Sequence, residues 1–485
     1  MASHLLSVAQ HDTSLPRERP HVVLIIPRGE AARNFIYSGT LPALAERAKV
    51  TVLAVLDDEG FRKVCEPHAA SVLPLPVAPE HRLLRALRAF THLAHFQKLS
   101  SAVARETLAR RLETAPNRVV AARRAFVNSV AGLFANEPAL GALDSLEEWA
   151  SWRLRSGDGF LDLFRQLEPS VVFNGSHIHG PAAIEPVNIA HRMKIPTATF
   201  IFSWDNLTSR GRILGHYDHY FTWHEPMRQQ LLSIYPRLRP EQVVVTGTPQ
   251  FDFHYQPRYF LDRVELCRRI GADPARPFVL YTTGMDTHFP EEYRTVELVA
   301  RILDRLPLNP KPQLVVRTYI KGTSVEMKAL RARNLPGVIF PEVLWEPKWL
   351  TPLPADLCIY SSMLKHCAFG INAASTVSLE LLMHNKPVIN LGFDPPGSSL
   401  PHSWRFQRHL EFDHYKPVVA SGAVMVAGSD SEMEPLIQRA FSQPGELEGQ
   451  RRAFVEQTFG NTLDGRSGER TAEALLTICG CHQEK

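Results

Sequence analysis

Residues 21–27 read HVVLIIP, an unbroken apolar and β-branched run closed by Pro20 before it and Arg28-Gly29 after it. A strand that is apolar at every position has both faces covered, the situation of a parallel sheet packed between two helical layers. After it, residues 29–34 read as a polar turn, 35–47 as a helix with Leu41, Leu44 and Ala45 on one face, and 50–56 as a second strand, so a βαβ unit opens the chain. Strand-like runs recur at 71–75, 170–174, 197–202, 219–222 and 243–246, and a second series follows at 278–282, 313–317, 338–340, 357–360, 369–372 and 387–391. Two such series in 485 residues exceed what one core supports, so the expected fold class is α/β with two doubly wound, Rossmann-like domains. The boundaries expected are a flexible N-terminus over 1–20, an N-terminal domain over 21–255, a C-terminal domain over 256–445, and a helical segment over 446–485 crossing back to the first domain.

Between about 80 and 167 no strand signal occurs, and that stretch reads as a helical insert. Arg82, Arg85, Arg88, Lys98, Arg105, Arg110, Arg111, Arg118, Arg123 and Arg124 are opposed there, before Phe126, only by Glu106 and Glu113. Leu83, Leu84, Leu87, Phe90 and Leu93 interleave with them, so the insert is a basic amphipathic array: a solvated face, or a surface for anionic membrane or a charged acceptor. No signal-peptide pattern opens the chain, and no apolar run approaches the roughly 20 residues that span a bilayer. The expected location is cytoplasmic, with peripheral contact at the inner face of the membrane. The six cysteines are scattered with no ligand-spaced knuckle, which points to a reducing compartment and no metal site. An Asp-x-Asp pair, a Walker A loop and a complete G-x-G-x-x-G are all absent from the sequence, and nothing supports nucleic-acid binding.

In open parallel sheets ligands bind outside the carboxyl ends of the strands, so the loops there carry the candidate chemistry. In Phe369-Gly370-Ile371-Asn372-Ala373-Ala374-Ser375-Thr376 a strand passes into a helix whose small and hydroxyl residues leave backbone N–H groups and a positive dipole end open to phosphate. Glu380, a turn and a half later, is placed to accept hydrogen bonds from a ribose. Thr283 and Gly284 would allow backbone to approach a diphosphate, and Arg317 offers a forked cation. On the acceptor side, Asp205 in the loop SWDNLTSRG is a candidate general base, as are His177 and His179. Arg28, Gly29, Glu30, Asn206 and Arg210 are candidate acceptor or phosphate contacts.

The pattern Asn372-x-x-Ser375-Thr376-x-Ser378-Leu379-Glu380, followed by Lys386-Pro387-Val388-Ile389, resembles the donor site of GT-B glycosyltransferases. It is similar to the CDP-glycerol glycerophosphotransferase group and the non-hydrolysing UDP-N-acetylglucosamine 2-epimerases. Val244-Val245-Thr246-Gly247-Thr248-Pro249-Gln250-Phe251-Asp252 resembles the turn ending the first domain of these families, and Asp464-Gly465-Arg466-Ser467-Gly468-Glu469-Arg470 a C-terminal turn of the glycerophosphotransferases. The resemblance runs from about residue 170 onward; before that only the βαβ opening matches. It implies a GT-B enzyme moving a sugar from a nucleotide-sugar to a surface polysaccharide or lipid-linked acceptor, metal-independent and without cofactor. The alternatives it leaves are a CDP-alcohol polyol-phosphate transferase and a UDP-sugar 2-epimerase. Two departures weigh against the phosphotransferase: Asp205 follows Trp204 where that group has His, and Thr318 and Tyr319 follow Arg317 where it places a His.

Overall fold

A computed structural model describes residues 19–483 apart from Asp57, Ala69, Ala78, His179, Gly180, Lys321 and Trp349. Seven strands, β1 (His21–Ile26), β2 (Lys49–Ala54), β3 (Ser71–Pro74), β4 (Val171–Asn174), β5 (Thr197–Phe200), β6 (His219–Thr222) and β7 (Val243–Val245), form one sheet in the order β3-β2-β1-β4-β5-β6-β7. All of its pairings are parallel. Then come β8 (Phe278–Thr282), β9 (Gln313–Arg317), β10 (Val338–Ile339), a short antiparallel pair β11 (Trp345–Glu346) and β12 (Thr351–Pro352), β13 (Gly370–Asn372), β14 (Val388–Leu391) and β15 (Met425–Ala427). Six of these make a second parallel sheet, β10-β9-β8-β13-β14-β15. Each sheet reverses its strand order once, between β1 and β4 and between β8 and β13, and these are the switch points at which doubly wound sheets open a crevice. Every residue of β1 is buried, as its unbroken apolar run requires.

Five helices, Arg82–Leu99, Ala102–Glu113, Arg118–Leu133, Glu137–Arg153 and Gly159–Leu167, occupy the chain between β3 and β4. Ser101, Asn117 and Asn136 cap three of them by accepting from the backbone N–H three residues on. Leu93, Ala94, Ala131, Leu140 and Leu143 give this layer its own small core. Not all of its basic residues face solvent. Arg88 is buried, and its guanidinium is held by Glu147 and Glu80.

Two stretches differ from expectation. Residues 357–360 were expected as a strand and lie inside the helix Pro354–His366. Four apolar residues in a row do not distinguish the two periods, and the pattern Leu357, Tyr360, Leu364 with Pro354 in the first turn is helical. Residues 29–34, expected as a turn, form most of the helix Gly29–Phe35, whose buried face includes Ala31, Ala32 and Phe35. Strand β15 had no counterpart in the sequence reading.

Two of the sequence motifs meet. The Asp252 carboxylate accepts from Ser467 N (2.9 Å) and Gly468 N (2.8 Å), capping the C-terminal helix Ser467–Gln483. Arg470 donates from Nε to the Thr246 carbonyl at 2.9 Å and through Nη1 to both oxygens of Asp464. That helix packs on the helix Thr40–Arg47 and on β4, so the end of the chain lies against the first sheet. A Cβ on Gly468 would stand 2.9 Å from the Thr40 nitrogen, which explains a glycine at that crossing.

Candidate functional site

The turn from β13 into the helix Thr376–Met383 is built on a buried polar web. Ser378 Oγ donates to Asn372 Oδ1 (2.8 Å), Asn390 Nδ2 donates to the same oxygen (3.2 Å), and Tyr415 OH donates to Ser378 Oγ (2.7 Å). Asn372 therefore lies beneath the turn and fixes its shape. Ser375, at the N-cap position, makes no side-chain cap to the helix; the Ser378 N–H is taken by the Ser375 carbonyl at 3.1 Å, which leaves the N–H groups of Thr376 and Val377 for an external acceptor. Thr376 Oγ1 accepts from Trp204 Nε1 at 3.0 Å, which ties the loop after β5 to this helix start.

Thr376 borders two cavities. The first, about 280 Å3, is lined by Glu30, Arg33, Thr283, Arg317, Tyr360 and Glu380 among others. Glu380 is buried; Tyr360 OH donates to its Oε2, and His254 Nε2 lies 3.3 Å from its Oε1. Each carboxylate oxygen retains a lone-pair site for a further donor. Arg317 is held by Asp356 at 2.5 Å and stacks 5.0 Å from the Tyr360 ring, while its Nη1 is buried with no partner. Thr283 Oγ1 accepts from Tyr319 N at 3.0 Å. Gly284 serves packing: a Cβ there would lie 2.0 Å from the Phe289 ring, and its N–H is taken by Glu292 at 2.9 Å. From the first sheet, Arg28 pairs with Glu30 at 2.7 Å, and Gly29 opens the helix that carries Arg33 into the cleft.

The second cavity, about 550 Å3, is lined by Trp204, Asp205, Arg210, Ser375 and Thr376, by Arg110 and Arg111 from the helical layer, and by His288, Arg408, His409 and His414. Asp205 accepts from Ser203 Oγ and Ser209 Oγ, each at 2.5 Å. Burial pushes its pKa up, but His414, the two serine hydroxyls and Arg210 together outweigh burial and hold it below the ordinary carboxylate range. His414 is lowered by burial, against the pull of Asp205 and Asp413, and its Nδ1 lies 3.1 Å from Thr208 Oγ1. Asn206 is a loop support, its Oδ1 accepting from Ser203 N at 2.9 Å. Glu106 pairs with both Arg110 and Arg408.

His177 belongs to a neighbouring cavity of about 390 Å3, with Arg85, Arg88, His92 and Arg210. Its Nδ1 is 3.1 Å from the Phe200 carbonyl, and burial pushes the ring down to about 4, so it is neutral at physiological pH. His179 lies outside the described residues. Sequence reading missed Arg33, Tyr360 and His414. Arg33 fell in the assumed turn, Tyr360 in the misassigned strand, and His414 in irregular chain between short helical turns with no periodicity to mark it.

No protein-family model matches the chain, and no curated protein matches it in sequence. Solved structures do match it in shape. A UDP-N-acetylglucosamine 2-epimerase superposes with a TM-score of 0.52 at 12% identity, over 96% of this chain and 97% of that one. The UDP-GlcNAc 2-epimerase of Neisseria meningitidis, solved with UDP-GlcNAc, gives 0.51 at 12% identity, over 94% and 99%. S. aureus MnaA, solved with UDP, gives 0.50 at 13% identity, over 95% and 97%. The chain thus has the two-sheet fold of these proteins, the GT-B fold expected from its donor-site motif.

Proposed function

We propose that this protein is a metal-independent glycosyltransferase that binds a nucleotide-sugar between its two sheets and passes the sugar to a surface polysaccharide or lipid-linked acceptor. The observation that carries this reading is the uncapped start of the helix Thr376–Met383, which stands where the two cavities meet. The smaller cavity takes the nucleoside, with Glu380 accepting from the ribose hydroxyls. The diphosphate lies over Ser375 and Thr376, its charge met by the helix dipole and by cations, chiefly Arg210 and Arg408. The larger cavity then has room for the sugar and an acceptor hydroxyl.

A base is needed to take the acceptor proton. Asp205, with both oxygens accepting and its pKa depressed, is a weak base, so we assign that step to neutral His414 and give Asp205 the task of stabilising the imidazolium that forms. With Nδ1 near Thr208, Nε2 is the nitrogen left for the acceptor. A 2-epimerase is the second reading, favoured by the shape match to UDP-GlcNAc 2-epimerases. Product analysis separates them. Transfer releases a nucleoside diphosphate in an acceptor-dependent way, and resists EDTA. Epimerisation inverts C2 of UDP-GlcNAc without acceptor, and release of CMP from a CDP-alcohol would replace both readings with phosphotransfer.

We assign membrane contact to the helix Arg118–Leu133. No helix among the described residues is long and apolar enough to cross a membrane. Val119, Phe126 and Leu133, spaced by seven, are 79%, 70% and 76% exposed, beside the exposed Arg118 and Arg123. An apolar stripe flanked by arginines fits the interface of an anionic bilayer.

A further inference from the structure

Away from the cleft, three side chains from three separate elements converge. Glu148 on the helix Glu137–Arg153, His191 on the helix Ile184–Arg192 and His216 in the chain leading to β6 bring one potential ligand atom each to within 4.8 Å of the others. His216 Nε2 is 3.8 Å from Glu148 Oε2, and the two imidazoles lie ring to ring with centroids 5.4 Å apart. The His216 carbonyl accepts from Thr197 Oγ1, the first residue of β5, so the cluster sits at the amino ends of the strands, the edge away from the nucleotide cleft.

We propose that Glu148, His191 and His216 form a binding site for one divalent transition-metal ion of the zinc class. Two imidazoles and one carboxylate are the donor set that borderline cations of this class select over calcium or magnesium, with water completing a tetrahedron. Tetrahedral ligand atoms on zinc stand about 3.4 Å apart, given bonds of about 2.0–2.1 Å. The side chains therefore need to close by at most about 1.4 Å from their separations of up to 4.8 Å. All three are a quarter to a third exposed, which leaves them free to turn and open to an entering ion.

Two further contacts show a prepared arrangement. Asp218 Oδ1 stands 3.8 Å from His191 Nδ1, beyond hydrogen-bond distance but near enough to take that N–H as the ligands close, which would leave Nε2 for the metal. Buried Asn188 joins the three ligand-bearing elements. It belongs to the His191 helix, donates to Ser151 Oγ on the Glu148 helix (3.0 Å), and accepts from His216 N (3.1 Å). A bound ion would cross-link the helical layer to the first sheet, a role independent of the nucleotide reading. The three residues are far apart in sequence, so no ligand spacing marks the cluster there.

The test is titration of tag-free, EDTA-stripped protein with zinc by calorimetry, and with cobalt by visible absorption. One equivalent should bind with a sub-micromolar dissociation constant, cobalt should give the intense d–d bands of a tetrahedral site, and zinc should raise the unfolding temperature. His216→Gln, His191→Gln and Glu148→Gln should each abolish these responses while unfolding at the wild-type temperature in EDTA. Asp218→Asn should weaken zinc by about 10–100-fold without abolishing it. No binding at micromolar zinc, or undiminished binding by the Glu148→Gln and His216→Gln variants, would overturn the assignment.

Discussion

Asp205 and Glu380 show how much a single position discloses before the structure is known. Both stand in loops or helix starts that follow a strand, so their nearness to the cleft was legible; what neighbours do to their charge was not. Asp205 was a candidate base on type and place alone, whereas two serine hydroxyls and His414 make it a stabilised anion. Glu380→Ala should weaken nucleotide-sugar affinity by about 10–100-fold, the worth of hydrogen bonds to a charged group, as read by calorimetry. His414→Ala should lose turnover, and in the wild type the acid limb of kcat/KM should fall below 6.5, because burial lowers the His414 pKa from that value. A limb that survives in His414→Ala unchanged would assign the base elsewhere. Buried Glu292 is pushed up from 4.5 to about 8 by desolvation. The folded state thus keeps a proton that the unfolded chain releases, so this residue's contribution is complete below about pH 4.5 and is lost as pH rises towards 8. Urea unfolding between those limits should show a flatter pH dependence for Glu292→Gln.

At the scale of elements, the sequence marked the strands well because parallel strands buried on both faces carry their own signature. It failed at 357–360, where four apolar residues fit either period, and it did not mark β15. The two motifs around Asp252 and Ser467 could be named from sequence, but their contact could not, because nothing local links residues so distant. Their joint is testable: Asp252→Ala removes the cap of the C-terminal helix and should cost about 1–2 kcal/mol in urea unfolding, with Asp252→Asn closer to wild type. The helical layer was legible as helices and as basic. That Arg88 turns inward to Glu147 while Arg110 and Arg111 reach the larger cavity depends on packing alone.

In the whole molecule, the proposed nucleotide-sugar lies across the two sheets and the proposed membrane stripe lies on the helical layer. Vesicles rich in anionic lipid should co-sediment the protein and neutral vesicles should not; Phe126→Glu should lose the binding and keep the fold. Equal pelleting with both lipids would remove the electrostatic part of that claim. A nucleoside diphosphate and its sugar conjugate are proposed to bind where the two sheets meet. The most direct measurement is thermal unfolding with UDP, CDP, GDP, TDP, CMP and their conjugates, in EDTA. One nucleoside diphosphate and its sugar conjugate should stabilise the protein, by about 2.7 kcal/mol at a hundred times the dissociation constant, and Glu380→Ala should weaken the response. Stabilisation only by CMP and CDP-alcohols, or by none of these ligands, would contradict it.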